Sequence, residues 1–411
     1  MVRLKSYLKA YHPMVHMMMF GTVLISLTNS MSVVFLPIYL IKNTQIDPVT
    51  VGLIVGAGAL TATVGGFLGG TLSDFLGRIR LLLVSLIILG FVFLGLLHAS
   101  SPVFLIVLNI FRGLFSSFFS TISKALMADL TAREKRFRLF SNRYMAGNIG
   151  FSIGPIIGTL FGVAGNEAAF LFTAMTYFGY FLMMALLIKH YQVREVDETS
   201  DEEVNISQAW SVFRKDKVLL LFIIGSVLLT TVHGEMSVTL SQYLEKNITE
   251  GIKLFGYLMS INGITVIATQ VLITRWAERF GLLQRIALGS LLFAAGEIGF
   301  AFSDGWTGFI IAMIVFTFGE ILIVPSEYAQ IDEITPSGMR GMYYGAQGFS
   351  ELGNFIGPWF GGILLVSYGG ETMFLVMALF SLAAVVFYAW GRKLYQRKNQ
   401  LVNGKISSMR I

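Results

Sequence analysis

Twelve long apolar runs constrain this chain more than any other feature. They lie near residues 14–40, 50–73, 79–98, 102–128, 139–164 and 167–189 and, after a polar stretch, near 217–244, 251–274, 283–302, 306–330, 341–366 and 370–391. A bilayer core about 30 Å thick needs about 20 apolar residues in one helix, so each run can cross once. The runs lack the alternation of barrel strands, and an open sheet edge finds no hydrogen-bond partner in lipid. The expected fold is therefore an all-α membrane protein with twelve transmembrane helices. Composition agrees: 13% of the 411 residues are charged, against about 25% in an ordinary soluble domain. The first run is too long for a secretory leader and lacks a small-x-small cleavage site, so it is expected to stay as a span.

Charge placement orients the array. Lys42, Lys246 and Lys253 fall in loops on one side, Arg112 lies within a span, and the remaining 26 of the 30 Lys and Arg residues gather on the other side and at its helix ends. Positive residues mark the cytosolic face, so both termini are expected in the cytosol, with the chain a multi-pass protein of the inner or plasma membrane. The net charge of +6 forms no aromatic-basic stripe, and nucleic acid is not an expected partner. Without cysteine, the chain has neither a disulfide framework nor a thiolate site.

The halves repeat. An ungapped shift of 203 positions matches Asp129 to Asp332, Gly150 to Gly353, Ile153 to Ile356, Gly154 to Gly357, Pro155 to Pro358 and Gly158 to Gly361. The expected organisation is a six-helix bundle over 1–189, a cytosolic linker over 190–216, a second six-helix bundle over 217–391 and a cytosolic tail over 392–411. The linker carries the acidic run Glu195, Asp197, Glu198, Asp201, Glu202 and Glu203, then an amphipathic stretch from Ile206 to Phe213. Its charge reads as solvated spacer or as a docking segment.

Between the second and third spans stands Gly70-Thr-Leu-Ser-Asp74-Phe-Leu-Gly77-Arg78-Ile-Arg80. It resembles the G-x-x-x-D-x-x-G-R-[KR] signature of the major facilitator superfamily. Its glycines allow a tight turn, Asp74 suits the positive end of a neighbouring helix, and Arg78 and Arg80 suit carboxylates or lipid phosphates. A cytosolic gate is the expected role, positive-inside anchoring the plainer one. In the fifth span, Gly150-x-x-x-Gly154-Pro155-x-x-Gly158 resembles the motif of the drug:proton antiporter branch, with Thr159 in place of its final glycine. The eleventh-span copy, Gly353-x-x-x-Gly357-Pro358-x-x-Gly361-Gly362, is complete. Small residues four apart permit close helix contact, and proline removes a backbone donor and favours a bend. Close packing alone also explains the pattern.

The resemblance implies two pseudo-symmetric bundles with a substrate site between them near the midplane, lined by the first, fourth, seventh and tenth spans. Arg112 fits the family's fourth-span arginine, although Ser116 replaces the second glycine there, and it becomes a coupling candidate. Among the acids in predicted spans, Glu235, Glu297, Glu320 and Glu351 are the candidates. Charge is costly in hydrocarbon, so a buried carboxyl readily holds a proton and releases it when water or a cation arrives. The implied cavity favours Glu235 and Glu320 over Glu297 on the ninth span. Glu351 matches Asn148 and is expected to approach the cavity. His233 is a relay candidate or a structural histidine. Asn29, Ser30, Ser32 and Asn148 are cavity candidates that helix packing explains equally well.

Gly150-Phe-Ser152-Ile-Gly154 satisfies G-x-S-x-G but lies inside a span without the strand-turn-helix of a hydrolase elbow. Neither a phosphate-binding loop nor a metal-spaced histidine cluster is present in the sequence, so no enzyme, cofactor or metal is expected. The expected function is a proton-coupled secondary transporter, a multidrug or lipophilic-compound exporter driven by the proton gradient and acting as a monomer. A transporter of an endogenous metabolite or lipid is the first alternative, and a non-transporting sensor or adaptor is the second.

Overall fold

A computed structural model of the chain describes residues 11–33, 36, 39–40, 46, 48–99, 101–160, 167–192, 206–336 and 338–408. The acidic linker run and Lys42 lie outside the described residues, as do the side chain of Pro155 and the surroundings of Gly158.

The described long apolar runs are helical. Lipid offers backbone N–H and C=O groups no partners, so the chain must satisfy them within each span. The first six spans are Pro13–Ser32, Pro48–Leu76, Arg78–His98, Pro102–Asp129, Arg136–Leu160 and Glu167–Tyr191. The next four are Lys217–Asn247, Gly251–Ala277, Leu282–Ala301 and Trp306–Ile334. The last two are helices within Leu352–Ser408 that meet at Gly369, whose φ of 83° is not helical. The eleventh passes through Pro358, and the twelfth runs beyond 391, where a tail was expected.

Helix ends follow local chemistry. Proline opens the first, second and fourth spans, where its missing donor costs nothing. Asp216 caps the seventh by accepting from the amides of Val218 and Leu219 at 3.0 and 3.1 Å. Gly77, at φ 90°, makes the turn between the second and third spans in a conformation that a side chain would strain.

The chain divides into two compact units: Met1–Ile206 with Pro336–Gly348, and Ser207–Thr335 with Phe349–Ile411. The sequence reading put 336–348 in the bundle 217–391 and ran the eleventh span unbroken from 341 to 366. Instead, a short helix, Arg340–Gln347, and a 3-10 turn, Gly348–Glu351, precede Leu352. The short helix packs in the first unit because Gly70 and Gly341 meet without side chains: a methyl on Gly70 would fall 1.8 Å from the Gly341 carbonyl oxygen. The stretch from Ile206 expected to be amphipathic is a helix to Lys215, with Trp210 stacked on Phe213.

Within each unit the repeat recurs as packing. The first span lies on the fifth, the second on the fourth and the third on the sixth. Correspondingly, the eighth lies on the tenth, the seventh on the eleventh through Gly353 and Gly357, and the ninth meets the twelfth at Phe300 and Phe374. Gly21 accommodates the ring of Tyr180 in the first unit as Gly225 accommodates that of Tyr388 in the second. Large apolar side chains such as Phe91, Leu182, Leu272 and Val386 are exposed, as a lipid-facing surface requires.

The glycine motifs set these contacts. A methyl on Gly154 would lie 2.0 Å from Ser30 Oγ, and one on Gly357 2.2 Å from the Thr231 carbonyl oxygen, whereas one on Gly362 meets nothing within 4 Å. Overpacking of this kind costs about 1–3 kcal/mol. Gly357→Ala should therefore lower the unfolding temperature in detergent by several degrees while Gly362→Ala leaves it unchanged. Equal melting of the two variants would show that the seventh and eleventh spans do not depend on this approach.

Candidate functional site

The second unit holds the richest polar cluster within a span. On the tenth span, Glu320 is buried, with 5% of its side chain exposed, and its Oε1 lies 3.0 Å from His233 Nε2 of the seventh. Its Oε2 accepts from Asn262 Nδ2 of the eighth at 2.8 Å, and the same amide donates to Thr317 Oγ1 at 3.0 Å. The imidazole packs over Phe316 and is 41% exposed. A buried carboxyl thus meets a ring that the protein covers only in part. Asn262 was missed, although an amide in an apolar span was a usable signal.

Glu235, two residues from His233, points elsewhere. Successive helical residues turn about 100°, so two steps place these side chains on nearly opposite faces. Glu235 Oε2 accepts from Thr239, and the carboxyl lies near enough to Glu297 for the two to interact electrostatically. Glu297 is fully buried, and among the described residues neither of its oxygens has a hydrogen-bond partner, nor has Glu235 Oε1. The sequence reading grouped Glu235 with Glu320 and set Glu297 apart; the packing pairs Glu235 with Glu297 instead. Glu351 ends the 3-10 turn, is exposed, and accepts from Asn354 at 2.6 Å.

In the first unit, Arg112 Nε donates to Asn109 Oδ1 at 2.9 Å, and a guanidinium nitrogen lies over Gly58, where any side chain would collide. Asn29 Nδ2 donates to the Tyr177 hydroxyl at 2.9 Å, and Ser116 also bonds that hydroxyl. Tyr177 also interacts electrostatically with Arg112, so it links two expected cavity residues, and the Ser116 departure from the family glycine supplies one of its partners. Asn148 makes a local bond to the Tyr144 carbonyl at 3.0 Å. Ser30 bonds the Leu27 carbonyl at 3.0 Å and Ser32 the Thr28 carbonyl at 2.9 Å.

The signature after the second span forms a closed polar network. Asp74 accepts from the amides of Gly341 and Met342 at 3.0 and 2.9 Å, capping the short helix where its dipole is positive. Arg78 Nη2 bonds Asp74 Oδ1 at 3.0 Å. Arg78 and Arg340 both pair with Asp129, only 2% of whose side chain is exposed. Arg80 is exposed. Asp129 had been visible only as a repeat match, and Arg340 had drawn no notice.

Removing one partner from a buried charge network costs about 3–5 kcal/mol because the others are left uncompensated. The chain has no cysteine, so buried Ser73, which bonds the Gly70 carbonyl at 2.7 Å, can become a single reporter. Asp129→Asn in the Ser73→Cys background should speed maleimide alkylation about tenfold, equivalent to ~1.4 kcal/mol. Unchanged labelling would show that this network does not hold the short helix down.

Comparison with known proteins places this geometry. Residues 18–351 match the Major Facilitator Superfamily profile. The chain is 34% identical over 375 residues to the "Uncharacterized MFS-type transporter YqjV" of Bacillus subtilis, covering 91% of each. It is 25% identical to a "Na(+), Li(+), K(+)/H(+) antiporter" of Planococcus maritimus, over 84% of this chain and 88% of the other. It is also 25% identical to the "Quinolone resistance protein NorA" of Staphylococcus aureus, over 89% and 93% respectively. Among solved structures, a bacterial homologue of the iron transporter ferroportin in its outward-facing state has a TM-score of 0.76 at 16% identity, covering 94% of this chain and all of that one. With the profile spanning most of the chain, and a relative one-third identical along nine-tenths of it, the chain belongs to the major facilitator superfamily and is a membrane transporter, not an enzyme.

Proposed function

We propose that the chain is a proton-coupled antiporter that exports lipophilic, drug-like compounds across the cell membrane by alternating access, with both termini in the cytosol. The carrying observation is Glu320: a carboxyl deep in a span, held by Asn262 and His233, with the histidine half-exposed beside it. A carboxyl in that position binds a proton at modest cost when dry and yields it when a cation or water enters. Similarity to NorA supports a drug-like substrate. Arg112 and Asn29 are the matching candidates in the first unit, and the Asp74–Arg78–Asp129–Arg340 network is the candidate cytosolic latch.

Similarity to the Planococcus maritimus antiporter favours a second reading, exchange of an alkali cation for protons at the same carboxyl. One assay separates the two. Inside-out vesicles are acid-loaded, a pH-gradient dye is added, and ethidium, a neutral drug, a sugar, NaCl and KCl are supplied in turn. Collapse of the gradient by ethidium but not by salt supports drug antiport, and the converse supports cation exchange. Glu320→Gln keeps an acceptor for Asn262 yet carries no exchangeable proton, so it should fold normally and abolish the response. Full coupled transport in that variant would remove Glu320 from the mechanism, and silence of the wild type across the panel would overturn the antiport reading.

A further inference from the structure

A second carboxyl in the tenth span, Glu327, is unused by the reading above. It is buried, and its Oε1 accepts from the hydroxyl of fully buried Tyr388 of the twelfth span at 2.6 Å. Ser226 Oγ of the seventh span lies 2.7 Å from that hydroxyl. This arrangement repeats the Glu320 level displaced along the bundle. Glu327 is seven residues beyond Glu320, and Ser226 is seven residues before His233. Seven residues are nearly two turns, which returns each side chain to the same helix face about 10 Å further on. Because one span is read forwards and the other backwards, both steps go the same way.

A third level lies beyond. Glu333 Oε2 pairs with Arg392 Nη1 at 2.6 Å, and the Tyr395 hydroxyl donates to the Glu333 carbonyl at 2.9 Å. About a quarter of the Arg392 and Glu333 side chains is exposed, so the ladder starts at a buried carboxyl and ends at water. His233 lies near enough to feel both Glu320 and Glu327, and Glu351 is the other charged group that Glu327 feels.

We infer that Glu327, positioned by Tyr388 and Ser226, is a proton station between Glu320 and the cytosolic face. This rests on the antiport reading and on the charge-based orientation, which puts the Glu333 end inside. One proton passes from the Glu320 carboxyl to His233 Nε2, one leaves the resulting imidazolium for the Glu327 carboxylate, and one leaves Glu327 for cytosolic water. His233 and Glu327 then regain their starting charges, and Glu320 is left as a carboxylate that takes its next proton from the opposite face of the membrane. A purely structural Glu327 would tie the tenth span to the twelfth and leave coupling untouched.

The test uses the full chain in proteoliposomes and splits two readouts: gradient-driven ethidium transport, and ethidium counterflow at equal pH. Glu327→Gln should retain counterflow within about twofold but slow gradient-driven transport roughly a hundredfold, the lower end of what a positioned proton-transfer group contributes. Glu327→Asp should recover part of the loss. Tyr388→Phe, which removes one hydroxyl and keeps the ring packing, should also slow only the gradient-driven rate, and it decides the matter if Glu327→Gln fails to fold. Gradient-driven transport equal to wild type in folded Glu327→Gln, or equal loss of both readouts, overturns the station while leaving the antiport reading intact. If wild type moves ethidium in neither assay, or moves it without proton coupling, the antiport reading and the station fall together.

Discussion

Hydrocarbon supplies no hydrogen bonds, and most of this molecule follows from that. The backbone closes its own bonds in helices, and every polar side chain within a span must find a partner, a neighbouring helix backbone or an opening to water. Most hydroxyls take the cheapest route: Thr22, Thr231, Thr317 and Ser326 bond the carbonyl four residues back. Arginines and carboxylates cannot be satisfied so locally. They gather into a few multi-partner clusters, and those clusters are where chemistry has somewhere to happen.

The same solvent explains why glycine carries the architecture. Between lipid-immersed helices there is little hydrophobic drive, so association rests on close contact. Gly150 and Gly154 seat the fifth span on the first, and Gly353 and Gly357 seat the eleventh on the seventh, each where a methyl would strike backbone. The same geometry in both units makes the repeat physical. A duplicated bundle needs duplicated points of close approach, and anything larger than glycine strains these positions.

Span number, helical class and internal repeat were legible in the sequence because hydropathy and glycine spacing are local signals, and the Asp74 motif was legible because its spacing is fixed. Three things were not. The facing of Glu235 depends on helix phase and neighbours, which its place on the seventh span does not give. Glu327 sits in the same apolar run as Glu320, but nothing local announces Tyr388, 61 residues away. The pairing of Arg340 with Asp129 spans 211 positions, and with the Gly348–Glu351 turn it moves a segment of the second half into the first unit.

The two carboxyl systems of the second unit differ in what lies between them and water. Glu235 and Glu297 are both fully buried, share only Thr239 as a hydrogen-bonded neighbour, and leave three of their four oxygens unpartnered among the described residues. Glu320 has a comparable location but two polar partners, one of them an exposed imidazole. Proton exchange with the medium proceeds through groups that both accept and donate, and histidine is the side chain that does so near neutral pH. Burial alone would rank Glu297 first. The presence of a route favours Glu320, and the two-residue difference in helix phase that turns His233 toward Glu320 and Glu235 toward Glu297 sets that ranking.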